Sequence, residues 1–148
     1  MTFDLRGATP LDAGGAGRIL AEFVAHTPWM PQLYSEAETI SLCGQMIDKG
    51  WVTVATLAGR CIGFLACRGS EVLSLFVDQH HRGQGIGKAL LDYTKQQTDN
   101  LHLRTFQANM HARRFYLREG FAEIGSSDGS VNDENLPDIL FQWQRNIA

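Results

Sequence analysis

Leu75-Phe76-Val77-Asp78-Gln79-His80-His81-Arg82-Gly83-Gln84-Gly85-Ile86-Gly87-Lys88-Ala89-Leu90-Leu91 carries an apolar strand into a glycine-rich turn and straight on into a helix. Glycine at every second position lets the backbone bend tightly and aim successive N–H groups at an anion, and the positive end of the following helix dipole adds to the attraction. Arg82 and Lys88 flank that hole with positive charge. Residues Arg82, Gly83, Gln84, Gly85, Ile86, Gly87 and Lys88 therefore read as a pyrophosphate cradle.

Two common cradles are excluded by spacing. A nucleotide-triphosphate loop needs glycine six residues before its lysine and Ser or Thr after it, where this chain has Arg82 and Ala89. A dinucleotide fingerprint needs a glycine at the position of Lys88, and no second strand ending in an acid follows on schedule. What remains, Arg82-x-x-Gly85-x-Gly87 after a strand ending Leu-Phe-Val-Asp, resembles motif A of the GNAT superfamily of acyl-CoA-dependent N-acetyltransferases. Phe106 to Phe121 resembles the family's motif B, with Asn109, Ala112, Phe115, Tyr116 and Gly120-Phe121 at matching spacing. The resemblance extends over essentially the whole chain.

Composition fits one globular domain spanning residues 1–148. At 148 residues, 44% hydrophobic and 20% charged, the chain can bury a single core. The start Met1-Thr2-Phe3-Asp4-Leu5-Arg6 lacks the apolar run of a signal peptide, and no stretch is long and apolar enough to span a bilayer, so a cytoplasmic location without membrane association is expected. Cys43, Cys61 and Cys67 are odd in number, lie in apolar segments and lack zinc-site spacing, so they read as core residues and no metal is expected. A net charge of −3 gives no general attraction to nucleic acid, whereas the clustering of basic residues near the two motifs suits a small anionic ligand.

Coarse patterning gives the order β-α-α-β-β-β-α-β-α-β-β. Phe3–Arg6 reads as a first strand, and Thr9-Pro10-Leu11-Asp12 as the start of a helix reaching about Ala25, weakened in its first half by Gly14, Gly15 and Gly17. Ser35 with Glu38 is a capping box for a second helix that ends at Lys49-Gly50. Between them, His26 to Tyr34 holds two prolines and two large aromatics and reads as a rigid apolar connection. Trp51–Leu57, Cys61–Arg68 and Glu71–Val77 form a meander, a helix covers about Gly85–Thr98, and Leu101–Gln107 and Asn109–Glu119 are a strand and a helix. Phe121–Gly125 and Ile139–Trp143 close the fold around the polar loop Ser126–Asp138. The resemblance implies an α/β fold: a mixed central sheet, helices on both faces, and two central strands that splay apart to admit the pantetheine arm of acetyl-CoA.

Function follows from the same resemblance. It implies acetyl transfer from acetyl-CoA to a primary amine of a small molecule or peptide by direct attack in a ternary complex. Thioester chemistry needs a neutral amine, a donor for the oxyanion and a proton for the departing thiolate. Tyr116 matches the family's proton donor and a cofactor contact, Asn109 its pantetheine ligand as well as a helix cap, and the backbone of Leu75, Phe76 and Val77 the pantetheine rail, with the Val77 amide as oxyanion donor. Some relatives carry a glutamate base where this chain has Arg104. Glu71, on the alternation sharing a face with Leu73, Leu75 and Val77, is the candidate base in its place. His80 and His81 lie in the turn on the phosphate side. Trp29, Met30, Tyr34 and the Ser126–Asp138 loop, with Asp128, Asp133 and Glu134, face the acceptor by the resemblance, and Trp29 and Tyr34 are the substrate-binding candidates. Arg113, Arg114 and Arg118 are candidates for the 3′-phosphate of coenzyme A. Dimers are common in that family, so a homodimer is an assembly it allows. A catalytically silent acyl-CoA-binding module and a toxin-like transferase acting on aminoacyl-tRNA are the alternatives, the second disfavoured by the acidic balance.

Overall fold

The computed structural model describes residues 2–146. Seven strands, β1 (Asp4–Gly7), β2 (Val52–Leu57), β3 (Arg60–Arg68), β4 (Glu71–Val77), β5 (Asn100–Phe106), β6 (Ala122–Ser127) and β7 (Asp138–Gln144), form one sheet in the order β1-β2-β3-β4-β5-β7-β6. Every neighbouring pair is antiparallel except β4 and β5, which run parallel. The mixed α/β sheet anticipated from the sequence is present, with each element within a few residues of its expected place. No helix among the described residues is long and apolar enough to cross a membrane.

Four helices cover the two faces: α1 (Ala13–Ala25) and α2 (Glu36–Asp48) on one, α3 (Ile86–Lys95) and α4 (Met110–Arg118) on the other. Alternation along the strands supplies both cores. Ala16, Ile19, Cys43, Met46 and Ile47 pack on Val52, Val54, Cys61, Phe64 and Ala66. On the opposite face Ile86, Leu90, Leu91 and Tyr116 pack on Ile62, Leu65, Val72, Leu101, Leu103 and Phe141.

Local chemistry explains the helix ends. The Ser35 hydroxyl accepts the Glu38 amide at 3.1 Å while the Glu38 carboxylate accepts the Ser35 amide at 3.0 Å, so α2 starts with two otherwise orphan donors satisfied. Before α1 the chain makes a 3₁₀ turn over Pro10–Asp12, where Asp12 accepts the Thr9 amide at 2.8 Å and pairs with Arg6 at 2.7 Å. Gly17, which weakens α1 by propensity, is needed by packing. A Cβ there would lie 2.6 Å from the Ile40 Cα of α2, so the glycine permits the close approach of the two helices.

Two departures from regular pairing shape the centre of the sheet. Across β3 and β4 the register moves from Ala66 opposite Ser74 to Cys67 opposite Val72, which leaves Leu73 as an extra residue in a β-bulge. Between β4 and β5 the paired position is Glu71 with His102, reinforced by the His102 amide donating to Ser70 O at 2.9 Å. Beyond that point the two parallel strands diverge toward their C-terminal ends, Val77 and Phe106.

Candidate active site

A cleft of about 690 Å³ opens where β4 and β5 part. Its lining includes Leu75, Phe76 and Val77 of β4, most of the turn between Gln79 and Lys88 but not His80 or Gln84, Asn109, Phe115 and Tyr116 of the α4 region, and Glu22, Phe23 and Trp29 from the α1 side. The size is within the range of small-molecule sites.

The β4 rail is set by strand geometry. The Asp78 amide donates to Ile62 O of β3 at 2.8 Å, and Phe76 stands opposite Phe64. Alternate residues of a strand direct their N–H and C=O groups to opposite neighbours. Leu75 and Val77 therefore aim theirs at the side from which β5 has withdrawn, offering an unpaired strand edge to an extended ligand.

At the mouth of the cleft, the backbone takes left-handed φ values of 74° at Gly83 and 81° at Gly85, a region where side chains are strained. Helix α3 begins at Ile86 with Gly85 as its N-cap, so its unpaired amides and positive dipole end face the turn. Arg82, Gly83, Gly85, Ile86, Gly87 and Lys88 all line the cleft. Gln84 is exposed and does not. Lys88 lines it while its Nζ is held by Asp92 at 3.2 Å and Glu119 at 3.1 Å. The turn is anchored from below by Asp78, 2% exposed, whose carboxylate accepts the His80 amide at 2.8 Å and lies 3.6 Å from both Arg18 and His81 Nδ1. Burial alone would raise the Asp78 pKa, but the His80 amide, Arg18 and His81 outweigh it and hold the carboxyl below its ordinary range.

Tyr116 stands among Phe115, Phe121 and Phe141, with ring centroids 5.2, 5.4 and 5.9 Å away. Its hydroxyl makes no hydrogen bond to any described residue, although the ring is only 7% exposed and the residue lines the cleft. Burial pushes its pKa above the ordinary phenol range, because a phenolate would lose its solvation. The group is thus kept as an O–H facing the cleft. Asn109 caps α4, its Oδ1 accepting the Ala112 amide at 3.1 Å, and lines the cleft as well.

The remaining candidates separate. Glu71 lines neither this cleft nor its neighbour and is bound by Arg68 at 2.5 Å, at the closed end of β4 about 20 Å along the strand from Val77 at roughly 3.3 Å per residue. The Leu73 bulge also overturns the alternation that placed it with Leu75 and Val77: Val72 is the residue that joins them in one core. Trp29 lines the cleft, edge-on to Phe23 at 6.4 Å and Phe106 at 5.9 Å. Tyr34 instead lines an adjoining cavity of about 310 Å³ with Met30, Glu36 and Glu134, its hydroxyl donating to Asp133 at 3.1 Å. Asp128 is occupied in a local turn, accepting the Ser130 amide at 2.9 Å. Of the three α4 arginines, Arg118 lines the cleft, while Arg113 donates to Gln107 O at 3.1 Å.

Sequence reading missed Glu22 on the cleft wall. Its only local sign is the i, i+4 spacing to Arg18, which forms a pair at 3.2 Å and looks in sequence like an ordinary helix surface pair.

With that geometry in place, the comparisons with known proteins converge. Residues 48–123 match the family model described as acetyltransferase (GNAT) domain. The chain is 35% identical over 87 residues to peptidyl-lysine N-acetyltransferase YjaB of Salmonella typhimurium, a match covering 59% of this chain and 58% of that protein. It is 33% identical over 87 residues to peptidyl-lysine N-acetyltransferase YiaC of Escherichia coli, covering 57% and 58%. The match thus spans less than two thirds of either relative's length. In fold, it superposes on the solution structure of apo-form YjaB from Escherichia coli with a TM-score of 0.82, at 21% identity, over 99% of this chain and 100% of that one. A splayed β4/β5 pair, a glycine cradle at a helix N-terminus and a match across half the chain have one common reading: this chain belongs to the GNAT family of acetyltransferases.

Proposed function

We propose that the protein is an acetyl-CoA-dependent N-acetyltransferase that moves an acetyl group to a primary amine of a small molecule or peptide. The observation that carries this is the unpaired edge of Leu75 and Val77, lying between a glycine-lined anion cradle and the free hydroxyl of Tyr116. That arrangement suits a ligand with a diphosphate at one end, amides along its length and a thioester at the other. The co-substrate supplies the activated acetyl group, and the chain's own residues do the rest.

In this reading, Arg82 and the amides of Gly83 to Lys88 receive the diphosphate, with Gln84 contributing backbone alone. Leu75 and Val77 hold the pantetheine amides as an added strand, with Asn109 opposite, while the Phe76 backbone, expected from the sequence to share in this, is directed to β3. The Val77 N–H stabilises the carbonyl oxygen as it takes on charge. Attack by the amine is direct, within a ternary complex, and Tyr116 gives its proton to the departing thiolate. Trp29 walls the acceptor side. The names of the relatives that act on peptidyl-lysine support a peptide amine as one acceptor class.

The deciding experiment is thiol release from acetyl-CoA by the purified protein with amine acceptors, beside direct measurement of cofactor binding. Amine-dependent release is expected. Binding without release from any small amine or lysine peptide would favour a silent acyl-CoA-binding module, and failure to bind would overturn the cradle.

A further inference from the structure

We infer that Glu22 receives the acceptor's ammonium group and takes its proton, a role that rests on the transferase reading above. Among the described residues, Glu22 alone lines both the main cleft and the adjoining cavity, so its side of α1 borders the two. The wall beside it is aromatic: Phe23 packs at a tilt against Phe76, ring centroids 5.0 Å apart, and meets Trp29 edge-on. An alkylamine lying along this wall of the cleft places its ammonium at this carboxylate, with its methylenes against those rings.

The other acids near the cleft are committed elsewhere. Glu119 is held by Lys88 at the cradle end, and Glu71 lies outside. Glu22 has Arg18 as its cation, at 3.2 Å, but Arg18 is shared with the buried Asp78. In the side cavity, Glu36 of α2 and Glu134 of the β6–β7 connection have no salt-bridge partner among the described residues. His26, one turn past Glu22, donates from Nδ1 to the Glu22 carbonyl at 2.9 Å, and His81 lines the main cleft. Arg18 also lines the side cavity, so one cation stands there against Glu22, Glu36 and Glu134, a balance that favours an entering cation.

The protons balance as follows. An alkylammonium loses one proton to Glu22, which passes it to solvent; the neutral nitrogen attacks the thioester carbon and the C–S bond breaks. Tyr116 protonates the sulfur, and the second proton lost from nitrogen restores the tyrosine through solvent.

The test uses the coenzyme A-bound protein and two probes, Nα-acetyl-lysine methylamide for a peptide side chain and 1,4-diaminobutane for a free diamine, in equilibrium binding and in turnover with acetyl-CoA. At least one probe is expected to bind wild type, and Glu22→Gln to weaken it by about tenfold, as for a lost hydrogen bond to a charged group. For that probe kcat/KM should fall in Glu22→Gln and recover in part in Glu22→Asp, with acetyl-CoA affinity unchanged. Which probe binds tells the peptide source from the diamine source. Equal binding and an unmoved kcat/KM in Glu22→Gln overturn the inference, as does an equal loss in His26→Asn. Binding of neither probe overturns it too. Because binding is read without turnover, loss of transferase activity alone sinks the transferase reading and remains distinguishable.

Discussion

The Arg18 guanidinium lies 3.6 Å from the buried carboxylate of Asp78, so a helix on one face of the sheet is tied to the turn that leads into the cradle. Asp78→Asn keeps an acceptor for the His80 amide and removes the charge. Loss of one buried, charge-assisted contact should lower stability by about 1–3 kcal/mol. Acetyl-CoA affinity should fall with it, because the turn loses its anchor. Unchanged affinity in a calorimetric titration would show that the cradle holds its shape without this link.

Tyr116→Phe separates chemistry from packing. The hydroxyl bonds to nothing in the described protein, so chemical denaturation should differ little from wild type. Turnover should fall by about a hundredfold, at the lower end of what general acids contribute. Cofactor binding should persist. If kcat is unaltered, the sulfur gets its proton from elsewhere.

Glu71→Gln breaks only a partly exposed pair with Arg68 at the closed end of β4. Pairs of this kind contribute about 0–1 kcal/mol. Stability and kcat/KM should stay close to wild type, and a large drop in turnover would return Glu71 to the list of bases.

Gly17→Ala places a methyl against the backbone of α2 at Ile40. The gain in helix propensity is outweighed by overpacking, for a net loss of about 1–3 kcal/mol, visible as an earlier urea midpoint. A stabilised variant would mean that the two helices separate at little cost.

Asp12 is held below the ordinary carboxylate range by its hydrogen bond from Arg6, against the opposing pull of burial. A depressed folded-state pKa gives stability that is complete above the unfolded value, near 4, and is lost as pH falls through the folded one. Acidification below about pH 4 should therefore weaken wild type more steeply than Asp12→Asn, measured as unfolding midpoints across that range. Parallel curves would assign the acid sensitivity to other carboxylates.

Local rules carried far along this chain because they act within a few residues. The glycine turn at Gly83 and Gly85, the Ser35/Glu38 box and the cap at Asn109 are set by φ preference and nearby donors, and the structure shows each where the sequence places it. The family was legible for the same reason, since both of its motifs are short stretches of backbone chemistry.

Residues whose roles depend on which strands meet were not legible in that way. A single extra residue at Leu73 moves Glu71 off the face of Leu75 and Val77, and a bulge comes from pairing with β3 that period-two reading cannot register. Trp29 and Tyr34, five positions apart, fall into different cavities, and Glu22 of α1 lines both. The sequence by itself determined the elements, their caps and the anion cradle, all governed by short-range backbone preference. Only the tertiary structure decided that Glu22 lines the cleft and Glu71 does not, because that depends on the bulge between β3 and β4 and on how α1 packs against the sheet.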